Sequence, residues 1–251
     1  MSSFDNAPVP TGNRVQSGAV FRREGQRISS THDQRMLRSP VDASWTNGDP
    51  WRVLRVQAEF VEGFSALAEL GPAISIFGSA RSKPGDPMYE STREIASRLV
   101  KSGFAVITGG GPGLMEAANR GAADANGTSV GLGIELPFET ALNDWVNLGI
   151  NFRYFFARKV MFLKYAQGFI VMPGGYGTFD ELFEALTLVQ TDKILDFPIV
   201  LFGKSYWQGL VDWLREQTLT EHFISPEDLD RFLVTDDIDQ AVAHAISGAR
   251  E

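Results

Sequence analysis

The chain has 251 residues, with 23 Lys and Arg against 31 Asp and Glu, a net charge of −8 and no cysteine. That length can bury a sizeable core without covalent staples, and the acidic balance lacks the positive footprint needed to neutralise nucleic-acid phosphates. The missing cysteines exclude disulfides, iron–sulfur clusters, thiolate zinc sites and cysteine nucleophiles, and fit a reducing, cytoplasmic setting.

Three histidines, His32, His222 and His244, are too scattered for a metal or triad spacing. Chemistry is left to carboxylates, Arg, Lys, hydroxyls and backbone amides. No charged-then-apolar N-terminal segment occurs, and no apolar run approaches the roughly 20 residues that cross a bilayer. A soluble protein with no membrane and no nucleic-acid partner is expected.

Residues 1–50 carry 6 Lys and Arg and 5 Asp and Glu among many small polar residues, with no sustained apolar period. They read as a flexible arm, or one that orders on a partner subunit. From Trp51, Val53, Leu54, Phe60, Val61, Phe64, Leu67 and Ala68 recur at helical spacing until Gly71-Pro72 stops the run. Apolar runs at 73–77, 104–108, 129–136, 169–172 and 198–202 read as strands. Helices are expected at about 87–102, 112–125, 153–166, 178–191, 205–217, 226–232 and 237–247. Strands of Ile, Val, Phe and Leu without polar alternation belong to parallel sheets covered on both faces. Residues 51–251 therefore read as a single Rossmann-like α/β domain, doubly wound around a mainly parallel sheet.

Two strands run straight into glycine-rich turns that open helices: Thr108-Gly-Gly-Gly-Pro-Gly-Leu-Met-Glu116 and Met172-Pro-Gly-Gly-Tyr-Gly-Thr-Phe-Asp-Glu181. Glycine lets a backbone approach a ligand closely, and the free N–H groups and dipole of a helix start favour an anion, so phosphate is the natural guest. Leaving the carboxyl ends of strands in one sheet, the loops can face each other across a crevice. Both place an acid, Glu116 and Asp180, where a dinucleotide fingerprint has its third glycine. Gly203-Lys204-Ser205 has Pro198 where a P-loop has its companion glycine. Dehydrogenase and NTPase readings weaken accordingly, and no cofactor or metal is called for.

Thr178 and Glu181 have capping-box spacing, the bland account of that glutamate. Upstream lie Arg153, Arg158, Lys159 and Lys164. Arg153 and Lys164 read as solvated. Arg158 reads either as a surface ion-pair partner or as a side chain reaching the crevice, because its helix leads into the strand that bears the second loop. Tyr176 and Phe179 are placed either to stack on a base or to enter the core.

Arg158-Lys159 followed by Pro173-Gly-Gly-Tyr-Gly-Thr-Phe-Asp-Glu181, with Phe77-Gly-Ser-Ala80 and Gly109-Gly-Gly-Pro-Gly-Leu-Met-Glu-Ala-Ala118 upstream, resembles the Lonely Guy (LOG) family. These are the cytokinin riboside 5′-monophosphate phosphoribohydrolases. The likeness covers roughly 72–235 and is closer to the longer bacterial branch. The family often carries the label lysine decarboxylase, yet no pyridoxal-binding lysine context is visible.

The resemblance implies hydrolysis of the N-glycosidic bond of a nucleoside 5′-monophosphate, AMP or a cytokinin riboside monophosphate. It implies Arg158 and Glu181 as the catalytic pair, and Gly174, Gly175, Tyr176, Gly177 and Thr178 around the phosphate. Ser79, Gly110, Gly111 and Lys159 follow as pocket residues. It also implies a homo-oligomer, a dimer or a ring of dimers. The segments 51–70 and aromatic-rich 145–156 read either as subunit contacts or as packing within the monomer. The competing reading is a nucleotide-binding or sensing module without chemistry, which has no need of the Arg158 and Glu181 pair.

Overall fold

In the computed structural model, the structure describes residues 14–17, 20–23, 50–136 and 141–248, with side chains from Arg52 onward. Two short strands, β1 (Arg14–Ser17) and β2 (Val20–Arg23), pair antiparallel. The rest of the expected arm lies outside the described residues.

The main body alternates helix and strand. Helix α1 (Pro50–Leu67) leads to β3 (Ala73–Phe77), α2 (Pro87–Lys101), β4 (Ala105–Thr108), α3 (Leu114–Asp124), β5 (Ser129–Ile134) and β6 (Leu148–Phe152). Then come α4 (Phe155–Tyr165), β7 (Phe169–Val171), α5 (Tyr176–Gln190), β8 (Ile199–Phe202), α6 (Lys204–Trp213), β9 (Phe232–Thr235) and α7 (Ile238–Ala245). The strands form one seven-stranded sheet in the order β6-β5-β4-β3-β7-β8-β9, every pair parallel.

Strands β3, β4, β5, β7 and β8 are buried along their whole length, which is why they show no polar alternation. Successive side chains point to opposite faces. Ile74 and Ile76 of β3 pack with Ile95 and Leu99 of α2 and Ala117 of α3. Phe77 packs on the other side with Phe162 of α4 and Phe169 of β7. Phe77 meets both rings edge-on, at centroid distances of 4.9 and 4.8 Å, a geometry worth about 0.5–1.5 kcal/mol per pair beyond area burial. The two clusters give the sheet helices on both faces, the doubly wound architecture read from the sequence.

Besides β1 and β2, which fall in the stretch read as a flexible arm, two strands of the main body escape the sequence pattern. Strand β6 (LGINF) is only partly buried and interrupted by Gly149 and Asn151, and β9 is a four-residue strand at the sheet's other edge. The helix expected at 226–232 is a 3-10 segment, Pro226–Asp230. The one expected at 205–217 is α6 continuing into a π-helical stretch, Leu214–Leu219.

From β3 the chain fills one side of the sheet through β4, β5 and β6, then crosses to β7 on the other side. The connections leaving the carboxyl ends of β3 and β7 diverge, opening a crevice at the switch point. Among the described residues no helix is long and apolar enough to cross a membrane.

Candidate active site

The two glycine loops follow β4 and β7, which flank β3, so the loop after β3 stands between them. Backbone hydrogen bonds join all three: the Ser79 N–H donates to the Pro173 carbonyl and the Leu114 N–H donates to the Ser79 carbonyl, each at 2.9 Å. A cleft of about 820 Å³ opens above them, walled by Ser79, Gly109, Gly111, Arg158, residues 173–179, Glu181 and Tyr206 among others. The Tyr206 hydroxyl, on α6, donates to the Gly174 carbonyl at 2.5 Å, holding the β7 loop from the far side.

Helix α5 begins at Tyr176 with Gly175 as its N-cap, and no side chain caps it. Its amino end meets the cleft with first-turn amides and the positive end of the dipole, the arrangement that favours an anion. Gly174 is required by close approach, because a methyl group there would overlap Oγ1 of the buried Thr178. Tyr176 is 95% exposed at the mouth. Phe179 takes the core alternative in part, its ring edge-on to Trp207 at 5.5 Å while still reaching the cleft.

The capping-box account of Glu181 does not hold. With the helix starting at Tyr176, Glu181 lies in the second turn, where its own N–H belongs to the helix ladder and its side chain has no orphan donor to satisfy. Glu181 is 5% exposed and lines the cleft. Its Oε2 accepts no hydrogen bond but lies 3.5 Å from Lys159 Nζ. Burial pushes its pKa up to about 7; the positive charges of Lys159 and Arg158 hold it down, and Glu184 and Asp180 add to the rise.

Lys159 bridges three carboxylates on α5, with Nζ 2.6 Å from Glu184, 3.0 Å from Asp180 and 3.5 Å from Glu181. Burial alone would lower its pKa, but these acceptors keep it above the ordinary lysine value. Lys159→Met is therefore expected to move the Glu181 titration to higher pH, by on the order of one unit. Carbon-13 NMR of the labelled carboxyl reads this directly, and an unchanged midpoint would show that the charge of Lys159 does not reach it.

Arg158 takes the crevice alternative. Its Nε donates to the Leu132 carbonyl within β5 (2.7 Å), its Cζ lies 5.1 Å from the Phe162 ring centre, and its terminal nitrogen lies against Gly109. The roughly 100° between successive helical residues sends Arg158 to the cleft and Lys159 to the acidic face of α5. Arg158 and Glu181, 23 positions apart in sequence, thus share one cavity.

Of the remaining expected site residues, Ser79, Gly111, Gly174, Gly175, Tyr176, Gly177 and Thr178 line the cleft. The Ser79 hydroxyl accepts the Arg81 N–H at 3.1 Å. Lys159 and Gly110 do not line it. Gly110 turns toward Leu142 and Gly131 instead, and its carbonyl accepts the Asn143 backbone N–H (2.8 Å) and Nδ2 (3.1 Å). Gly110 thus anchors the loop from behind.

Lys164 is exposed, as expected, but Arg153 is not solvated: it lies 3.4 Å from the buried Glu59. Sequence reasoning also missed Tyr206 and the Leu132 carbonyl. Both act across the sheet from other elements, and no local motif marks them. No group of acidic and histidine side chains suited to a metal occurs among the described residues.

A family model described as "Possible lysine decarboxylase" matches residues 115–245. The cytokinin riboside 5′-monophosphate phosphoribohydrolase of Rhodococcoides fascians is 28% identical, covering 71% of this chain and 92% of the relative. The Mycobacterium tuberculosis protein of the same name is 30% identical, covering 62% and 83%. The solved structure of TM1055, a structural genomics target, superposes with a TM-score of 0.53 at 22% identity, covering 68% of this chain and 96% of that one. The last is a likeness of fold.

Proposed function

Because this chain belongs to the LOG family, whose model spans more than half of it, we propose that it is a phosphoribohydrolase cleaving the N-glycosidic bond of nucleoside 5′-monophosphates, AMP or cytokinin riboside monophosphates. The observation that carries this reading is the pairing of Arg158 with a buried, cleft-facing Glu181 beside the uncapped amino end of α5.

The phosphate sits on the first-turn amides of α5, with Gly174 to Thr178 around it. Glu181 then lies near the ribose. In its ionised form it stabilises the oxocarbenium-like transition state or orients the attacking water. The C1′–N bond breaks with its electron pair passing to the base, the water oxygen bonds to C1′, and the water proton ends on the departing base. Arg158 stabilises negative charge developing on that base, a task suited to a planar cation anchored through Nε. Tyr176 stands at the mouth, where a purine passes.

Lys159, next to Arg158 in sequence, is held in ion pairs with Asp180 and Glu184 and takes no part in this chemistry. The reading extends to a cytoplasmic homo-oligomer, a dimer or a ring of dimers. Exposed Val53, Leu54 and Val61 on α1 and Phe156 and Val160 on α4 support an apolar contact.

Phosphate held far from the breaking bond supplies positioning energy that a nucleoside lacks. AMP is expected to release adenine at least about 10³-fold faster than adenosine, as kcat/KM measured by chromatography. GMP, CMP, UMP and isopentenyladenosine monophosphate in the same panel define the base preference. Equal turnover of AMP and adenosine, or no release from any monophosphate, would overturn the proposal.

A further inference from the structure

We infer that Glu59 is a positioning residue for Arg158: from outside the Rossmann core, it clamps the amino end of the helix that carries the arginine. The inference rests on the phosphoribohydrolase reading for its kinetic consequence. Glu59 lies on α1, in a stretch the family model does not reach.

Glu59 is only 2% exposed, and its carboxylate is fully engaged at the junction of β6 and α4. One oxygen accepts the Arg153 N–H at 2.9 Å and the other the Tyr154 N–H at 3.2 Å, while the Arg153 guanidinium lies 3.4 Å away. Tyr154 is the N-cap of α4, and its own side chain does not cap the helix. A carboxylate contributed from 95 positions upstream therefore holds the N–H of the N-cap residue, as the N3 glutamate of a capping box does locally, and its charge complements the helix dipole.

Burial raises the pKa of Glu59, and the two amides and Arg153 counter that rise. Burying a carboxylate is expensive unless it is hydrogen-bonded; here it accepts two backbone N–H groups that an apolar residue would leave unpaired at the start of α4.

The same face of α1 follows α4 along its length. Gly63, one turn beyond Glu59, lets Met161 in so closely that a methyl group would stand 2.8 Å from its Cε. The Tyr165 hydroxyl, at the other end of α4, donates to the Phe64 carbonyl at 3.1 Å. Of these contacts only the Glu59 clamp sits at the amino end of α4, four and five residues before Arg158. On a helix rising 1.5 Å per residue, a slip or fraying of that first turn moves the guanidinium off the Leu132 carbonyl. Displacements of about 1 Å in a catalytic group cost on the order of 10²-fold in rate.

The test compares Glu59→Ala and Glu59→Gln with the wild type, reading AMP hydrolysis per folded molecule and hydrogen exchange over residues 153–158. Glu59→Ala is expected to lower kcat at least fivefold with KM within threefold, and to speed exchange in that segment. Glu59→Gln, which keeps one acceptor and the volume, is expected to recover part of both. If the alanine variant does not fold, the glutamine variant decides, with a kcat at least twofold below wild type and faster exchange at 153–158 expected. A kcat within fivefold of wild type in folded Glu59→Ala, or within twofold in Glu59→Gln where that variant decides, or unchanged exchange at 153–158, would overturn the inference. Failure of the wild type to release base would overturn the enzymatic reading instead, and the exchange result would then decide the clamp alone.

Discussion

Glu181→Gln is expected to lose base release by on the order of 10²–10⁴ in kcat while still binding AMP within a few fold of wild type. Glutamine keeps the shape of the side chain but cannot carry the negative charge that faces a developing oxocarbenium ion. Phosphate, held by the α5 amides, is not touched. The wild-type rate should rise with pH through a midpoint near 7, where Glu181 ionises in the folded chain, and the variant should lack that limb.

Stability should move the opposite way. With its folded pKa raised from 4.5 to about 7, Glu181 binds more protons in the native than in the unfolded state over that interval, so its ionisation lowers stability as pH rises through it. The glutamine variant should therefore be more stable than wild type at pH 8, by on the order of 1–3 kcal/mol, with the gain fading toward pH 5. Base release measured across pH, isothermal titration with AMP and calorimetry check the rate, the binding and the stability in turn. A variant that is inactive because it is less stable at pH 8 would return Glu181 to a structural role.

Arg158→Ala is expected to cost on the order of 10²–10³ in kcat, with no comparable loss of stability. Lysine should not substitute. The native guanidinium spends its Nε on the Leu132 carbonyl and packs its plane near Phe162 and Gly109, a geometry that a point charge on a flexible stem cannot reproduce. Single-turnover adenine release for both variants measures this, and near-wild-type rates in either would remove Arg158 from the reaction.

Much of this was legible in the sequence. The core strands announce themselves because residues such as Ile74, Val106 and Ile170 belong to a parallel sheet buried on both faces, an environment that demands unbroken β-branched runs. The glycine loops are legible because phosphate binding constrains the backbone locally. Strand β6 was not, because an edge strand only partly covered does not need a continuous apolar run.

Glu181 was ambiguous for a different reason. Thr178-Phe-Asp-Glu181 satisfies the spacing rule of a capping box, and only the actual helix start two residues earlier decides against it. Glu59, Tyr206 and the inward turn of Arg153 are contacts between distant elements, and no periodicity encodes the partner of a buried carboxylate 94 positions away.

The backbone hydrogen bonds among the loops after β3, β4 and β7 bear on how such a site can diversify. Ser79 is the shared link, giving its N–H to one neighbour and its carbonyl to the other. A change of path in the loop after β3 breaks both links, and a change in either neighbour breaks its own bond to Ser79. New ligand preferences on this scaffold would accumulate at positions outside the weave, such as the exposed Tyr176, or through exchange of all three loops as one inherited block.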